Sequence, residues 1–281
     1  MKSNRKQAIP FSSKACTAGL MALSLFCLAS LAGPGLPPAY ASGAGNKALI
    51  GLASGRGGQA IKVDADSQLP SCTKDGAAFI EEMYRSASAQ TAYSFNFTMT
   101  VYKGKKPTVE KGRFYYKKPG LIRLEEKGPY KKGAVAVLGD NGKVKAHLGG
   151  NLSLFVVELS RDNQMLRSAN GHPMVESDFR SLAEALKQFL KEGVASRVTA
   201  RPVMTDSSSR PVYLLEMRKG KGEGRLWKRI AVDSKTHLPV EWWDYGDDGK
   251  LWSHATWRSF ESVADLPDDL FDAHKSSSES M

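Results

Sequence analysis

The side chains able to do acid–base or covalent chemistry are few and poorly spaced for it. The histidines are His147, His172, His237, His254 and His274, and none stands in a His-Glu-x-x-His arrangement or beside a second ligand at helical spacing. The sequence holds no Gly-x-Ser-x-Gly elbow and no phosphate-binding loop. Gly220, Gly222 and Gly224 lie among lysines and arginines in an expected hairpin turn, with no helix behind them. Asp244, Asp247 and Asp248 invite a calcium reading, but the distal glutamate and the ligand spacing are missing. No catalytic residue, metal site or cofactor is expected, and the protein is read as a non-enzyme.

What remains is binding chemistry. Phe95, Phe97 and Met99 recur at a spacing of two, as do Phe114 and Tyr116, so each set shares one side of its strand. Five tryptophans, Trp227, Trp242, Trp243, Trp252 and Trp257, fall in the last three expected strands. Adjacent Trp242 and Trp243 must point to opposite faces. Methionine and aromatic rings make a deformable, polarisable wall. The candidate lining of a hydrophobic cavity is therefore Phe95, Phe97, Met99, Phe114, Tyr116, Trp227, Trp242 and Trp257, although the same tryptophans would equally fill an ordinary core. Arg123 stands among Leu121, Ile122 and Leu124. A buried guanidinium needs partners, so Arg123 is expected either to point outward into water or to reach carbonyls or a carboxylate on a covering helix or loop and act as a lid latch.

The elements that must position these residues can be read from periodicity. Phe79, Ile80, Met83, Tyr84 and Ala87 recur at helical spacing, so an amphipathic helix follows Lys74 and needs a sheet to lie on. From residue 93 to 102 the period drops to two. A turn at 103–107 leads to a strand over 109–117, which Pro119 and Gly120 break before 121–126 pairs back. Residues 134–138 and 143–148 form a hairpin around Asn141-Gly142, a pair that accepts the positive φ of a tight turn. Residues 150–193 interrupt the sheet. Within them 152–166 is apolar without clean period, and Phe179, Leu182, Leu186, Phe189 and Leu190 mark a second helix, capped by Ser177 or Asp178 and closed near Gly193. Strands are expected again over 198–204, 211–218, 226–233, 240–245 and 251–260, then a short closing segment at 264–271. Helix, meander, helix, meander is an α+β plan.

The N-terminus sets the expected compartment. Lys2, Arg5, Lys6 and Lys14 precede an apolar run from Ala18 to Leu31, then Gly33, Pro34, Pro37 and Pro38, and Ala39-Tyr40-Ala41 offers a cleavage site before Ser42. An uncleaved anchor is the alternative. Cys27 follows bulky Phe26, so lipidation is not expected. Residues 1–41 thus read as a signal peptide, 42–72 as a Gly/Ser-rich linker, 73–273 as one folded domain and 274–281 as a fraying tail. Cleavage would leave 240 of the 281 residues, with 36 basic against 29 acidic side chains, a net of +7. The excess suits transient contact with an anionic membrane surface rather than nucleic acid, but it is spread over 103–106, 131–132 and 218–221, as solvated loop charge would be. Cys72 alone survives cleavage, so neither an intrachain disulfide nor a zinc cluster can form, and a periplasmic monomer is expected.

The order of these elements resembles the LolA/LolB-like periplasmic lipoprotein carriers. The resemblance runs from about Thr73 to Phe271. It is carried by the opening helix, the strand at 93–102, the turn Gly112-x-Phe114-x-Tyr116-Lys117-Lys118-Pro119 with Arg123 beyond it, and the connection from Val232 to Val240. The stretch from Gly139 to Phe179 is closer to the uncharacterised DUF1571-type exported proteins. The resemblance implies an incomplete antiparallel β-barrel covered by helices, with an arginine at the position of Arg123 contacting a helical lid. It also implies binding or carriage of lipoproteins or other acylated, hydrophobic ligands in the concave face. A non-transporting envelope sensor or scaffold on the same fold is the alternative.

Overall fold

The computed structural model of the protein describes residues 69–70, 73–220 and 224–275. The expected signal peptide, the linker apart from residues 69–70, Cys72, Lys221 and residues 276–281 of the expected tail lie outside the described residues.

Both helices follow from a cap and a stripe. The Asp75 carboxylate accepts from the Ala77 N–H at 2.8 Å and opens α1 (Gly76–Ala89), which buries Phe79, Ile80, Met83 and Ala87. Of the two candidate caps for the second helix, Asp178 is the one used. It accepts from the Arg180 and Ser181 N–H groups at 3.0 Å and opens α2 (Phe179–Lys191), with Phe179, Ala183 and Leu186 buried. Among the described residues no helix is long and apolar enough to cross a membrane.

Among the described residues the strands are β1 (Thr73–Asp75), β2 (Ala92–Val101), β3 (Thr108–Lys117), β4 (Leu121–Glu126), β5 (Val135–Leu138) and β6 (Val144–His147). The series continues with β7 (Val157–Leu159), β8 (Ala195–Thr199), β9 (Val212–Lys219), β10 (Arg225–Asp233), β11 (Pro239–Tyr245) and β12 (Leu251–Val263). They form one antiparallel sheet in the order β1-β8-β9-β10-β11-β12-β2-β3-β4-β5-β6-β7. Two meanders, β2 to β7 and β8 to β12, are therefore joined side by side where β2 pairs with β12. The sheet is curved and does not close, so the fold is an α+β incomplete antiparallel barrel, as expected. α2 carries the chain from the β7 edge to β8, next to the opposite edge.

Some local expectations need correction. The strand expected over 198–204 is β8, which stops at Thr199, and Val203 returns only as a single bridge to Val212. Pro202 has no N–H to give to a ladder, so the chain leaves the sheet there. β1 is too short for its alternation to register in the sequence; it exists because Thr73 to Asp75 pair with Thr199 to Arg197. The aperiodic stretch after residue 150 holds short 3-10 turns at Gly150–Leu152, Gln164–Leu166 and Met174–Glu176, with β7 between.

The two faces of the sheet are covered differently. α1 and α2 lie over β8 to β11 on the concave side, and Leu215, Met217, Ile230 and Val232 beneath them are 0% exposed. On the convex side the C-terminal segment seats Leu266 and Leu270 against Ala92 and Tyr115.

Candidate functional site

Pairing register places a row of side chains across the concave face. Phe95 stands opposite Phe114, Phe114 opposite Leu124, Leu124 opposite Ala136, Ala136 opposite Ala146, and Ala146 opposite Val157. The row tapers from rings to methyl groups, and neither helix covers its narrow end. The result is a cavity of about 890 Å³, near the top of the ordinary range for ligand pockets of roughly 300–1,000 Å³. Phe97 lies in the next row, opposite Gly112. A Cβ at Gly112 would stand 2.7 Å from the Phe97 ring and clash with the Glu125 carbonyl, so only glycine lets that ring lie across β3.

Of the residues expected to line a cavity, Phe95, Phe97, Met99, Phe114, Trp242 and Trp257 do so. Tyr116 and Trp227 do not. Tyr116 shares the face but stacks on Tyr93 at 5.0 Å, and the Tyr93 ring in turn stacks on Phe179 at 5.1 Å, so the start of α2 plugs that end. The Tyr93 hydroxyl accepts from the Phe179 N–H at 3.0 Å, which fixes the plug. Burial pushes the Tyr93 and Tyr116 phenols above their ordinary range. Trp227 falls where the β10–β9 register slips, and its ring meets Phe189 edge-on at 4.7 Å with the Lys219 ammonium over it. Trp243 points to the convex side and stacks on His254 at 5.2 Å. Trp252, which alternation alone left open, reaches the cavity.

The mouth is marked by residues that both line the cavity and stand exposed: Leu148, Leu152, Phe155, Val157, Met165 and Trp252. Phe155 is 67% exposed, and neighbouring Leu154, outside the lining, is 84% exposed. A cluster of apolar side chains left in water around one opening is a mark of an interaction surface.

Sequence reasoning missed the polar groups in the wall. Glu110 and Glu126 are only 2% and 5% exposed and face the cavity from β3 and β4. Their place was legible in hindsight: Glu110 has the parity of Phe114, and Glu126 that of Leu124. The Glu110 Oε2 accepts from the Ala169 N–H at 2.7 Å. Burial, then the neighbouring Glu110, pushes the Glu126 carboxyl up to about 9. Lys131 Nζ donates to the Met165 and Arg167 carbonyls at 2.9 and 2.8 Å, tying the 163–173 loop to the β4–β5 connection. Across the cavity Lys228 pairs with Asp244 at 2.6 Å, and Asp244 also accepts from Trp242 Nε1 and Ser253 Oγ at 2.9 and 2.8 Å. Burial holds the His172 imidazole below its ordinary value. Among the described residues no three His, Cys, Asp or Glu side chains stand together as metal ligands would.

Arg123 finds carbonyls, but not on a lid. It is 1% exposed and faces the convex side, because it alternates with Ile122 and Leu124, which face in. Its Nη1 donates to the Leu270 and Asp272 carbonyls at 2.9 Å, its Nη2 to the Lys275 carbonyl at 2.8 Å and its Nε to Glu125 at 2.7 Å. The latch position is thus corrected. Arg123 fastens the C-terminal segment to the outside of the sheet, and that segment stays in place as far as Lys275, past residue 274 where fraying was expected.

The sequence matches no protein-family model and no curated protein. Solved structures are similar at low identity. One is an uncharacterized conserved protein from Thermus thermophilus, 12% identical over 70% of this chain and 93% of that chain, with a TM-score of 0.43. A LolA superfamily protein from Nitrosomonas europaea is 10% identical over 71% of this chain and 98% of that one, with a TM-score of 0.33. The complex of MucA and MucB from Pseudomonas aeruginosa is matched at 12% identity and a TM-score of 0.41, over 71% of this chain and 61% of that one.

Proposed function

We propose that this protein is an exported, non-catalytic carrier or binding protein that holds the acyl chain of a lipid, a lipoprotein or another hydrophobic ligand in its concave cavity. The observation that carries the reading is the cavity itself, about 890 Å³ of space walled by Phe95, Phe97, Phe114, Leu124 and Trp257 and ringed by exposed apolar side chains. Each methylene removed from water contributes about 0.8 kcal/mol, so a chain of about fourteen carbons has on the order of 10 kcal/mol to gain from such a wall. On this reading residues 1–41 direct export to the periplasm, 42–72 form a linker and the domain that begins at 73 holds the ligand. The exposed Lys103, Lys105 and Lys106 would favour brief contact with anionic head groups. Residues Gly139 to Phe179, whose sequence resembles the DUF1571-type exported proteins, supply most of the mouth.

Titration of the monomeric protein with the neutral dye N-phenyl-1-naphthylamine tests the reading. Saturable binding at one site, displaced by long-chain lipids and weakened by Ala136→Phe, is the expected result, because the new ring would occupy the void. Dye binding that Ala136→Phe leaves unchanged would place the site elsewhere. Binding without transfer of lipid between vesicles would favour the sensor or scaffold alternative.

A further inference from the structure

A carboxyl pair in an otherwise apolar wall has to be matched by something. Glu110 and Glu126 sit beside Met99, Phe97 and Leu124 on the floor of the cavity. Glu110 has its partner in the Ala169 N–H. The Glu126 carboxyl holds its proton at neutral pH because burial, then a side-chain hydrogen bond to Glu110 and its charge, oppose ionisation, while its buried Oε2 meets no hydrogen-bond partner. Leaving a buried oxygen unmatched is costly, so such a group in a cavity wall marks where a ligand's polar atom fits.

The other charged groups around the cavity narrow the choice of that atom. Lys131 is engaged by the Met165 and Arg167 carbonyls, and Arg167 Nη1 donates to the Gly171 carbonyl at 2.8 Å. Lys228 is paired with Asp244, the His147 Nδ1 lies 3.0 Å from the Leu148 carbonyl, and burial keeps His172 neutral. Close to the pair, the Tyr130 phenol is pushed up by burial, Glu110 and Glu126. Among the described residues lining the cavity, the cations are already tied to carbonyls or a carboxylate, whereas a donor meets the Glu126 carboxyl.

We propose that the Glu110–Glu126 pair is the polar subsite of the cavity, seating a hydrogen-bond-donating end group, an ammonium or a hydroxyl, on a chain whose apolar length lies along Phe95, Phe97, Phe114 and Leu124, and turning carboxylate-ended chains away. The inference rests on the carrier reading and names the ligand class for it. Seating an ammonium ionises Glu126: the carboxyl gives its proton to the buffer, and the carboxylate then accepts from the N–H of the ligand. Seating an alcohol moves no proton.

Competition against bound N-phenyl-1-naphthylamine at pH 7 tests it, using dodecylamine, 1-dodecanol and dodecanoate. Dodecylamine and the alcohol are expected to compete on the order of tenfold better than dodecanoate, the scale of one hydrogen bond. Glu126→Gln should cut the preference for the amine over dodecanoate by a similar factor and leave the dye and the alcohol bound as before, since the carboxamide still accepts. Should that variant not fold, calorimetry of dodecylamine binding to the native protein in buffers of different ionisation heat must show a proton released. Equal competition by the three chains, an unchanged order in Glu126→Gln, or no proton release overturns the subsite while the cavity reading stands. Failure of the dye to bind the native protein removes the cavity reading and the subsite with it.

Discussion

The two halves of the concave face are built from the same alternating strands and end differently. Over β8 to β11 the inward residues meet α1 and α2, and Leu215, Met217, Ile230 and Val232 vanish beneath them. Beyond Leu124 the cross-strand row meets no helix, shrinks to Ala136 and Ala146, and borders open space. Phe179 stands at the divide, stacked on Tyr93 and Phe95 at 5.1 Å each. Apolar alternation thus establishes only that a face will avoid water. Whether the protein or a ligand supplies the other side depends on where the crossover helix lies.

Truncation should separate the halves most sharply. Ile230→Ala removes a side chain that is 0% exposed in the filled half and is expected to cost about 4 kcal/mol in urea unfolding, because the site cannot collapse. Leu124→Ala borders existing space and should cost only about 1 kcal/mol, since it loses burial without opening a new cavity. Equal losses at the two sites would mean that the hollow half is filled in solution.

The outer face offers the next test. Arg123→Leu removes the guanidinium that bonds three carbonyls and Glu125 and is expected to cost about 3 kcal/mol. Hydrogen exchange should quicken over 266–275 while dye binding in the cavity holds. A change in ligand release with no change at 266–275 would restore the lid latch that the sequence resemblance implied.

Overfilling should run the other way from truncation. Ala183→Leu adds three carbons between α2 and the sheet, where Ala183 is 2% exposed, and is expected to destabilise by about 2 kcal/mol. Ala136→Leu adds the same atoms to the void and should be close to neutral for stability while weakening the dye.

The mildest contrast is in pH. The Glu126 carboxyl is raised to about 9 in the folded protein from an ordinary 4.5, so between those values the folded state binds the extra proton. Its contribution to stability is complete below about pH 4.5 and is lost as pH rises through about 9, at no more than about 1.4 kcal/mol per pH unit. Glu126→Gln should flatten that fall and leave the filled half unaffected. A variant with the native pH slope would show that Glu126 is ionised at neutral pH.

Legibility followed the range of the interactions. β4 runs over Leu121–Glu126 as its breaker and alternation imply, and the Asn141-Gly142 turn closes its hairpin with Gly142 at φ 74°. The inward set Phe95, Phe97, Met99 and Phe114 was equally visible, since parity along a strand is a local property. Tyr116 has that parity too, yet Tyr93 and Phe179 cover it, and Phe179 lies 63 positions further along the chain. The position of Trp227 depends on a register slip between β9 and β10 that no spacing announces.

By itself, then, the sequence determined both helices, most of the longer strands, the main turns and which residues of each strand share a face, because backbone geometry and nearest-neighbour sterics settle these within a few residues. Tertiary structure alone decided that β2 joins β12, that Arg123 holds the outer segment rather than a lid, that Glu110 and Glu126 share an apolar wall, and that one half of the face is packed and the other hollow. Those outcomes depend on register and coverage between distant segments, where the energy lies in contacts that form only once the sheet has curved and the helices have come to rest on it.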